Sequence, residues 1–268
     1  MLGWAPKGGR VVKEFYDSEM AAKQDRLAAT PDMAEQRERL MAALRPAPGE
    51  RVLELGAGNG AFLRDLAPML GAQGRAVGLD RSPQMLAIAR KFAPGADLIE
   101  GTAEALPFDD ESFDAVCAAQ LLCFLPDLGA ALAETFRVLR PGGRVAFLDT
   151  DWATLVWHCR DEALMQRVVG AYTSFYEDAH LPRRLGPRLA AAGYESVDCD
   201  SFVVLNRDLS DETYARQTLG FAESIMQRDP EFSDTDIDRF KTDLMALDAE
   251  AAGFFSLNRY IFTARKGL

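Results

Sequence analysis

Residues 52–60, which read VLELGAGNG, decide the fold of this chain. A short apolar run ends in an acidic residue and enters a turn with three glycines, after which apolar residues recur at helical spacing from Phe62. A strand, a glycine-rich turn and a helix in this order begin a βαβ unit, in which glycine lets a ligand approach the backbone closely. The segment also satisfies the relaxed dinucleotide pattern G-x-G-x-x-G/A, so by itself it predicts a nucleotide-like ligand without naming it.

The sequence on both sides alternates between short apolar runs and helical spacing, which predicts parallel strands joined by right-handed crossovers. The five predicted strands of this alternation are RVLEL, RAVGLD, ADLIEG, SFDAVCAA and GRVAFLDT, and the helices cover 62–70, 83–92 and 128–139. Two further strands, SVDCDSFVVL and FFSLNRYIFTARK, bring the total to seven. We therefore expect an α/β protein with a mostly parallel sheet and an antiparallel last strand.

Helical patterns outside this alternation predict a cap. Two helices are expected over 11–44 with Thr30 as an N-cap, one from Trp152 to about His180, and a short one over 188–192. Residues 210–250 are helical in pattern, with Ser210 and Ser233 as candidate caps. The predicted organisation is an N-terminal helical cap segment at 1–49, followed by a domain at 50–268 with a helical insertion at 206–252.

The composition argues against several partners. Thirty basic and 41 acidic residues give a net charge of −11 without a basic stripe, which disfavours nucleic acid. The four cysteines form no C-x-x-C pair, so neither a metal site nor a disulfide framework is expected. Because we find no apolar stretch long enough for a signal or a membrane span, we expect a cytoplasmic protein without a membrane partner. For the oligomeric state, a monomer and a homodimer both stay open.

Asp80 closes the second predicted strand. A carboxylate at this place can accept hydrogen bonds from both ribose hydroxyls, a role shared by nicotinamide and adenosylmethionine enzymes. Asp80 therefore predicts a nucleoside without deciding between the two cofactors.

Four motifs in order decide between them: ELGAGNG at 54–60, LDxSxxML at 79–86, ALPFxxxxFD at 105–114 and LRPGGR at 139–144. Together they resemble the class I S-adenosylmethionine-dependent methyltransferases over about residues 50–151. The likeness is strongest to the type 11 group, which contains the ubiquinone and menaquinone C-methyltransferases. The resemblance implies a Rossmann-like fold, S-adenosyl-L-methionine as cofactor and a small-molecule acceptor, and it makes 50–268 the methyltransferase domain.

The resemblance also implies a cofactor site. Glu54, Gly56 and Gly58 would face the methionine end of the cofactor, Asp80 the ribose, and Arg81 with Met85 the adenine. The full set that it implies is Tyr16, Glu54, Gly56, Ala57, Gly58, Asp80, Arg81, Met85, Thr102, Ala103, Glu104 and Gln120.

This sequence departs from the family pattern at two places. Thr102 stands where many relatives have an aspartate that accepts from the adenine amino group, so the Ala103 amide becomes the alternative contact. Cys123 and Phe124 stand where many relatives have histidines, so an acid-base role of those histidines does not transfer. Gln120 is expected to contact cofactor or acceptor, or simply to lead into the next helix.

The candidate base is therefore sought among the two histidines of the chain, His158 and His180. His158 is the predicted catalytic residue, because it follows the carboxyl end of the fifth strand, where open α/β sheets bind ligands. Asp149 and Asp151 lie two apart on that strand, but two carboxylates without a further ligand give no prediction of a metal.

The predicted function is methyl transfer from S-adenosylmethionine to a small molecule, with the acceptor atom (O, N or C) left open. An RNA or protein methyltransferase and a non-catalytic S-adenosylmethionine-binding protein remain alternatives, because fold alone does not fix function.

Overall fold

The computed structural model describes residues 26–268. The eight strands in this part of the chain are β1 Arg51–Leu55, β2 Arg75–Asp80, β3 Asp97–Glu100, β4 Phe113–Ala119, β5 Leu139–Thr150, β6 Val156–Trp157, β7 Glu195–Asn206 and β8 Phe255–Arg265. The helices are α1 Pro31–Leu44, α2 Ala61–Leu70, α3 Pro83–Phe92, α4 Leu128–Val138, α5 Glu162–Phe175, α6 Pro182–Ala191, α7 Tyr214–Arg228 and α8 Asp234–Ala249.

The strands form one mixed sheet in the order β3-β2-β1-β4-β5-β8-β6, with β7 paired to β8. The pairs from β3 to β5 are parallel, and β6 pairs antiparallel with β8. β8 also runs antiparallel to β5, because Gly142 N–H donates to the Lys266 carbonyl at 3.1 Å and Asp151 N–H to the Asn258 carbonyl at 3.3 Å. The predicted α/β class with a mostly parallel sheet is confirmed.

The strand order reverses between β1 and β4, which is the topological switch point of the sheet. In open α/β sheets the ligand crevice lies there, outside the carboxyl ends of the strands. β1 and the glycine turn after it, residues 51–60, lie at this point.

Two expectations about the segment after β5 are wrong. The helix expected from Trp152 to about His180 covers only α5, because Asp161 begins it by accepting a hydrogen bond from Leu164 N–H at 2.9 Å. Before it, Val156 and Trp157 pair with Ser256 and Phe255, and this eighth strand was not expected. Two residues are too few for a sequence pattern to distinguish a strand from a helical turn.

The helix caps are partly as predicted. Thr30 Oγ1 accepts from Met33 N–H at 3.3 Å, and Ser233 forms a capping box with Asp236, so both predicted caps are confirmed. Ser210 does not cap α7; Thr213 Oγ1 does, by accepting from Arg216 N–H at 3.2 Å. The short helix expected at 188–192 begins earlier, at Pro182.

The chain divides into two compact units. The sheet unit comprises Gln36–Asp149, Pro182–Asp200 and Tyr260–Leu268, and its core contains the strand residues Val52, Leu53 and Leu55. The helical unit comprises the described residues up to Glu35 together with Thr150–Leu181 and Ser201–Arg259. Its core is aromatic and contains Trp157, Tyr172, Phe175, Phe240 and Phe255. The division at residues 49 and 50 remains a prediction, while the proposed insertion at 206–252 holds α7 and α8.

Candidate active site

The turn between β1 and α2 leaves room beside its middle glycine. Gly58 has a φ of +52°, and among residues 26–268 a Cβ added there would meet only the Gly56 carbonyl oxygen, at 3.9 Å. Gly60, with a φ of +82°, serves packing instead, since a Cβ there would lie 3.0 Å from that of Ala89. A side chain on Gly58 would fill open space next to the turn, which is the space a ligand needs to reach the backbone.

Asp80 ties the end of β2 to this turn. Its Oδ2 accepts from Gly58 N–H and its Oδ1 from Ser82 N–H, both at 2.8 Å. Burial raises the pKa of the Asp80 carboxyl, and the hydrogen bonds from Ser82 and Gly58 oppose that rise. Each carboxylate oxygen has further lone-pair capacity, so Asp80 can hold the turn and still accept from a ribose diol.

Glu54 at the end of β1 is a buried carboxyl with an unsatisfied atom. The residue is 4% exposed, and its Oε2 has no hydrogen-bond partner within residues 26–268. Burial raises the pKa of Glu54 well above its ordinary value, the negative charge of Asp80 adds to the rise, and Arg37 opposes it. An unpaired buried carboxyl is costly, so this position suits a cationic ligand group.

These three features fit S-adenosylmethionine. An ammonium group would satisfy the Glu54 carboxylate, the diol of a ribose would meet Asp80, and the open side of Gly58 would admit the chain between them. The fit rests on the unsatisfied Glu54 oxygen and on the space at Gly58.

The residues expected at the adenine lie around the same strand end. Gly101 N–H donates to the Asp80 carbonyl at 3.1 Å, which holds residues 101–104 beside β2. Met85 and Ala103 are buried, each 4% exposed, whereas Arg81 and Thr102 are exposed. Ala57 is buried and Glu104 half-buried, and Tyr16 lies outside the described residues.

The segment after β4 is constrained by a buried carboxylate. Gln120, directly after β4, has a φ of +55° and donates its N–H to the Leu148 carbonyl at 2.8 Å. A non-glycine residue in this backbone region is uncommon and occurs often at functional sites. Cys123 is fully buried, and its N–H donates to Asp149 Oδ2 at 3.0 Å. These contacts agree with Cys123 as a packing residue.

Asp149 and Asp151 have different partners. Asp149 accepts from Cys123, whereas Asp151 Oδ1 accepts from Ala153 N–H and from the ring of His180, each at 3.3 Å. Within residues 26–268, no three side chains of His, Cys, Asp or Glu are grouped so that they could hold a metal.

The two histidines differ in their partners. His158 is exposed, and its Nδ1 lies 2.9 Å from the Ala252 carbonyl oxygen. His180 lies in the loop between α5 and α6, where its Nδ1 faces Asp151. The sequence favours His158 because it follows the carboxyl end of the fifth strand, whereas His180 is predicted to lie farther along a helix. The structure instead places His180 in a loop that returns to the residue after β5. The carboxylate directly after a parallel strand, Asp151, was the only signal for this pair.

Three features are typical of a protein that binds a nucleoside-containing cofactor: the switch point of the sheet, the open glycine turn and the acidic residue at the end of β2. Comparison with known proteins specifies the class. Residues 53–147 match the family model described as a methyltransferase domain, and residues 7–97 match that of protein-L-isoaspartate(D-aspartate) O-methyltransferase. The chain contains a class I S-adenosylmethionine-dependent methyltransferase domain of the type 11 group, and S-adenosylmethionine is its cofactor.

Individual relatives agree with this class. The chain is 39% identical over 112 residues to a demethylmenaquinone methyltransferase of Lactococcus lactis, a match covering 40% of this chain and 44% of the relative. It is 34% identical over 161 residues to a 2-phytyl-1,4-naphtoquinone methyltransferase of Synechococcus elongatus, covering 56% and 63%. The chain therefore spans only about half the length of the curated relatives it matches.

A solved structure shows the same fold. It is phosphoethanolamine N-methyltransferase 2 of Haemonchus contortus in complex with S-adenosyl-L-methionine, with a TM-score of 0.62 and 18% identity. The match covers 96% of this chain and 59% of that one. No helix within residues 26–268 combines the length and the apolar character needed to cross a membrane.

Proposed function

We propose that this protein transfers the methyl group of S-adenosylmethionine to a small-molecule acceptor. The observation that carries the proposal is the buried Glu54 carboxyl with its unsatisfied oxygen, beside the open Gly58 and the ribose-type acceptor Asp80. The transfer breaks the bond between the methyl carbon and the sulfonium sulfur and forms a bond to the acceptor atom. Such a displacement mainly needs alignment and exclusion of water.

The proposed cofactor contacts follow from the positions of the residues at the carboxyl ends of β1 and β2 and in the turn after β1. Glu54 and the turn at Gly56, Ala57 and Gly58 hold the methionine end, and Asp80 holds the ribose. The proposed neighbours of the adenine and of the transferred methyl group are Arg81, Met85, Thr102, Ala103, Glu104, Gln120 and Tyr16.

The proposed acceptor is a quinol-like aromatic ring. Support comes from the relatives named for demethylmenaquinone and for a phytyl-naphthoquinone, and from the net charge of −11, which disfavours a nucleic acid. In this proposal the protein is a cytoplasmic monomer or homodimer that needs neither a nucleic acid nor a membrane as partner.

The test is a transfer assay with methyl-labelled S-adenosylmethionine. The acceptors are a reduced 2-alkyl-1,4-naphthoquinone, a metabolite extract, transfer RNA and a protein extract, each in a separate reaction. We expect label in the naphthoquinol or in the metabolite fraction, and no label with Asp80→Ala. Label only in RNA or protein would overturn the small-molecule acceptor. Tight cofactor binding without transfer to any fraction would show a non-catalytic binding protein.

A further inference from the structure

An ion pair on α4 holds the segment between β3 and β4. Glu134 and Arg137 lie one turn apart on α4, where Arg137 Nε donates to Glu134 Oε1 at 2.7 Å and Arg137 Nη2 to Glu134 Oε2 at 2.8 Å. The pair binds one residue of the segment from both sides. Leu106 N–H donates to Glu134 Oε2 at 2.8 Å, and the Leu106 carbonyl accepts from Arg137 Nη2 at 3.0 Å. Both backbone groups of Leu106 are therefore bound by these two side chains.

The contacts of this pair are charged and have a defined geometry. The hydrogen bond from Arg137 lowers the pKa of Glu134, burial opposes this change, and the Leu106 N–H lowers the pKa further. The carboxylate is thus ionised at neutral pH. Arg137 Nη1 also donates to the Phe108 carbonyl at 2.8 Å. Because hydrogen bonds to charged groups are stronger than neutral ones and the guanidinium is planar, the pair fixes the position of Leu106 relative to α4.

The turn between Thr102 and Ala105 lies directly before this anchor. Gly101 N–H donates to the Asp80 carbonyl at 3.1 Å, so the chain enters the turn beside β2. Ala105 N–H donates to the Thr102 carbonyl at 3.3 Å, which closes the turn. The turn is therefore bound to β2 at its start and, through Leu106, to α4 at its end.

One backbone donor of the turn is left for a ligand. Ala103 is 4% exposed, and within residues 26–268 its N–H has no acceptor. A buried backbone N–H normally has a partner, so this group suits an acceptor atom of a bound molecule. N1 of adenine is such an acceptor, whereas N1 of hypoxanthine carries a hydrogen. A fixed Ala103 N–H therefore distinguishes these two purines.

We propose that Glu134 and Arg137 are positioning residues of the cofactor site, which hold the turn before Leu106 in place for the adenine ring. The turn held in this way presents the Ala103 N–H to N1 of adenine and gives the site a preference for adenine over hypoxanthine. This inference rests on the proposed function, which places the ribose at Asp80 and the attached base beside it.

The experiment compares S-adenosylhomocysteine with S-inosylhomocysteine, which has hypoxanthine in place of adenine. Titration calorimetry gives the Kd of both ligands for wild type and variants, and thermal unfolding checks folding. We expect wild type to prefer the adenine ligand at least about 10-fold, because hypoxanthine loses one hydrogen bond and sets a donor against a donor.

The variants are Arg137→Ala, Arg137→Lys and Glu134→Gln. Arg137→Ala should raise the Kd of S-adenosylhomocysteine about 10-fold and that of S-inosylhomocysteine by less than about threefold, so that the preference falls to about threefold or less. Arg137→Lys keeps the charge but not the fork, and Glu134→Gln keeps an oxygen for Leu106 but not the ion pair. Both should have an intermediate preference, and they decide the question if Arg137→Ala does not fold.

Arg140 is the matched control. Its Nη1 donates to Asp114 Oδ1 at 2.5 Å and its Nε to the Glu111 carbonyl at 3.2 Å, so it also joins a carboxylate and a backbone carbonyl. It lies at the amino end of β5, and Arg140→Ala should keep the preference within about twofold of wild type.

Four results would overturn the inference: no preference in wild type, the wild-type preference in all folded variants of the pair, equal weakening of both ligands in these variants, or an equal loss of preference in Arg140→Ala. The measurement needs no methyl acceptor. A failure of the proposed methyl transfer would therefore appear in the labelling assay alone and is distinguishable from a failure of this inference.

Discussion

At the scale of single residues, Gly58 is the most direct test of the cofactor site. We expect Gly58→Ala to weaken S-adenosylhomocysteine binding more than 10-fold, because its Cβ would occupy the space of the ligand, and to destabilise the fold by about 1 kcal/mol through its positive φ. Gly49→Ala is the matched control, since Gly49 has a φ of +88° and no atom of the described residues lies within 4 Å of an added Cβ. Calorimetry measures the affinity of both variants for S-adenosylhomocysteine, and urea unfolding measures their stability. Equal affinities of the two variants would contradict the proposed site.

The raised pKa of Glu54 predicts that cofactor binding depends on pH. The pKa of Glu54 in the folded protein lies well above the ordinary value of 4.5. Between these two values and without cofactor, the folded state therefore holds a proton that the unfolded state has lost. The contribution of Glu54 to stability falls as pH rises from 4.5 through the raised pKa. In the proposed site, the ammonium group of the cofactor would stabilise the Glu54 carboxylate, so binding would release that proton. Affinity should therefore rise with pH across this window and level off above it.

Titration calorimetry of S-adenosylhomocysteine in buffers of different ionisation enthalpy measures the released proton. Glu54→Gln is the control, because an amide keeps the shape but neither titrates nor balances an ammonium. We expect it to bind more weakly and with a flatter pH dependence. An equal slope in Glu54→Gln and wild type would assign the proton to another group.

The sequence places residues in the fold where the information is local. Glu54 and Asp80 lie at the carboxyl ends of two adjacent strands and Gly58 lies in the turn after the first, so the order of the chain alone places them at one edge of the sheet. The contact of His180 with Asp151 joins residues 29 apart across an intervening helix and depends on how the loop after α5 folds back. A sequence pattern does not encode that return.

At the scale of elements, α7 offers a test of helix capping. Thr213→Ala should lower the free energy of unfolding by about 1 kcal/mol, because Arg216 N–H loses its acceptor. Thr213→Ser should retain most of the stability, and Ser210→Ala, at the site that the sequence favoured, should change it by less than about 0.5 kcal/mol. Urea unfolding checks all three variants, and a larger loss in Ser210→Ala would show that the helix begins earlier.

β8 holds a buried arginine without a carboxylate. Arg259 is fully buried. Its guanidinium lies 4.5 Å from the Tyr214 ring centroid, and its Nη1 lies 3.5 Å from Met33 Sδ. In the part of the chain that the structure describes, its Nε has no hydrogen-bond partner. Within residues 26–268 it has no ion pair. Because desolvating a charge costs several kcal/mol, we expect Arg259→Met to leave the free energy of unfolding unchanged or raise it by about 1–4 kcal/mol. A loss above about 2 kcal/mol in urea unfolding would show that contacts with Tyr214 and Met33 outweigh the desolvation.

The elements predicted correctly are those with a repeated pattern. β1 to β5 and the helices between them alternate at regular spacing, and that spacing reports burial on the two faces of a parallel sheet. β6 has two residues, and the turn before it is held by Asp151 and by pairing with β8, which are long-range contacts. The helix predicted there was wrong because tertiary pairing outweighs local propensity.

At the scale of the whole molecule, the proposed cofactor residues and α7 belong to different units. The residues from Glu54 to Gln120 belong to the sheet unit, and α7 belongs to the helical unit. We therefore expect two separable responses in hydrogen exchange. S-adenosylhomocysteine alone should protect the turn at 56–60 and residues 80–82, and the acceptor should add protection in the helical unit, including α7.

Phe221 on α7 is predicted to select the acceptor. It is half-buried, and its ring centroid lies 5.5 Å from that of Tyr172 and 5.2 Å from that of Phe175. Phe221→Ala should raise the acceptor KM about 10-fold. The affinity for S-adenosylhomocysteine should change little, because Phe221 belongs to the helical unit and the proposed cofactor residues belong to the sheet unit. Phe240→Ala is the matched control: that ring is fully buried against Trp157, so its removal should cost about 3–5 kcal/mol of stability without a specific effect on KM. If Phe221→Ala only destabilises the fold, as Phe240→Ala should, and the acceptor protects no amide of α7, then α7 is a core helix and selection of the acceptor lies elsewhere.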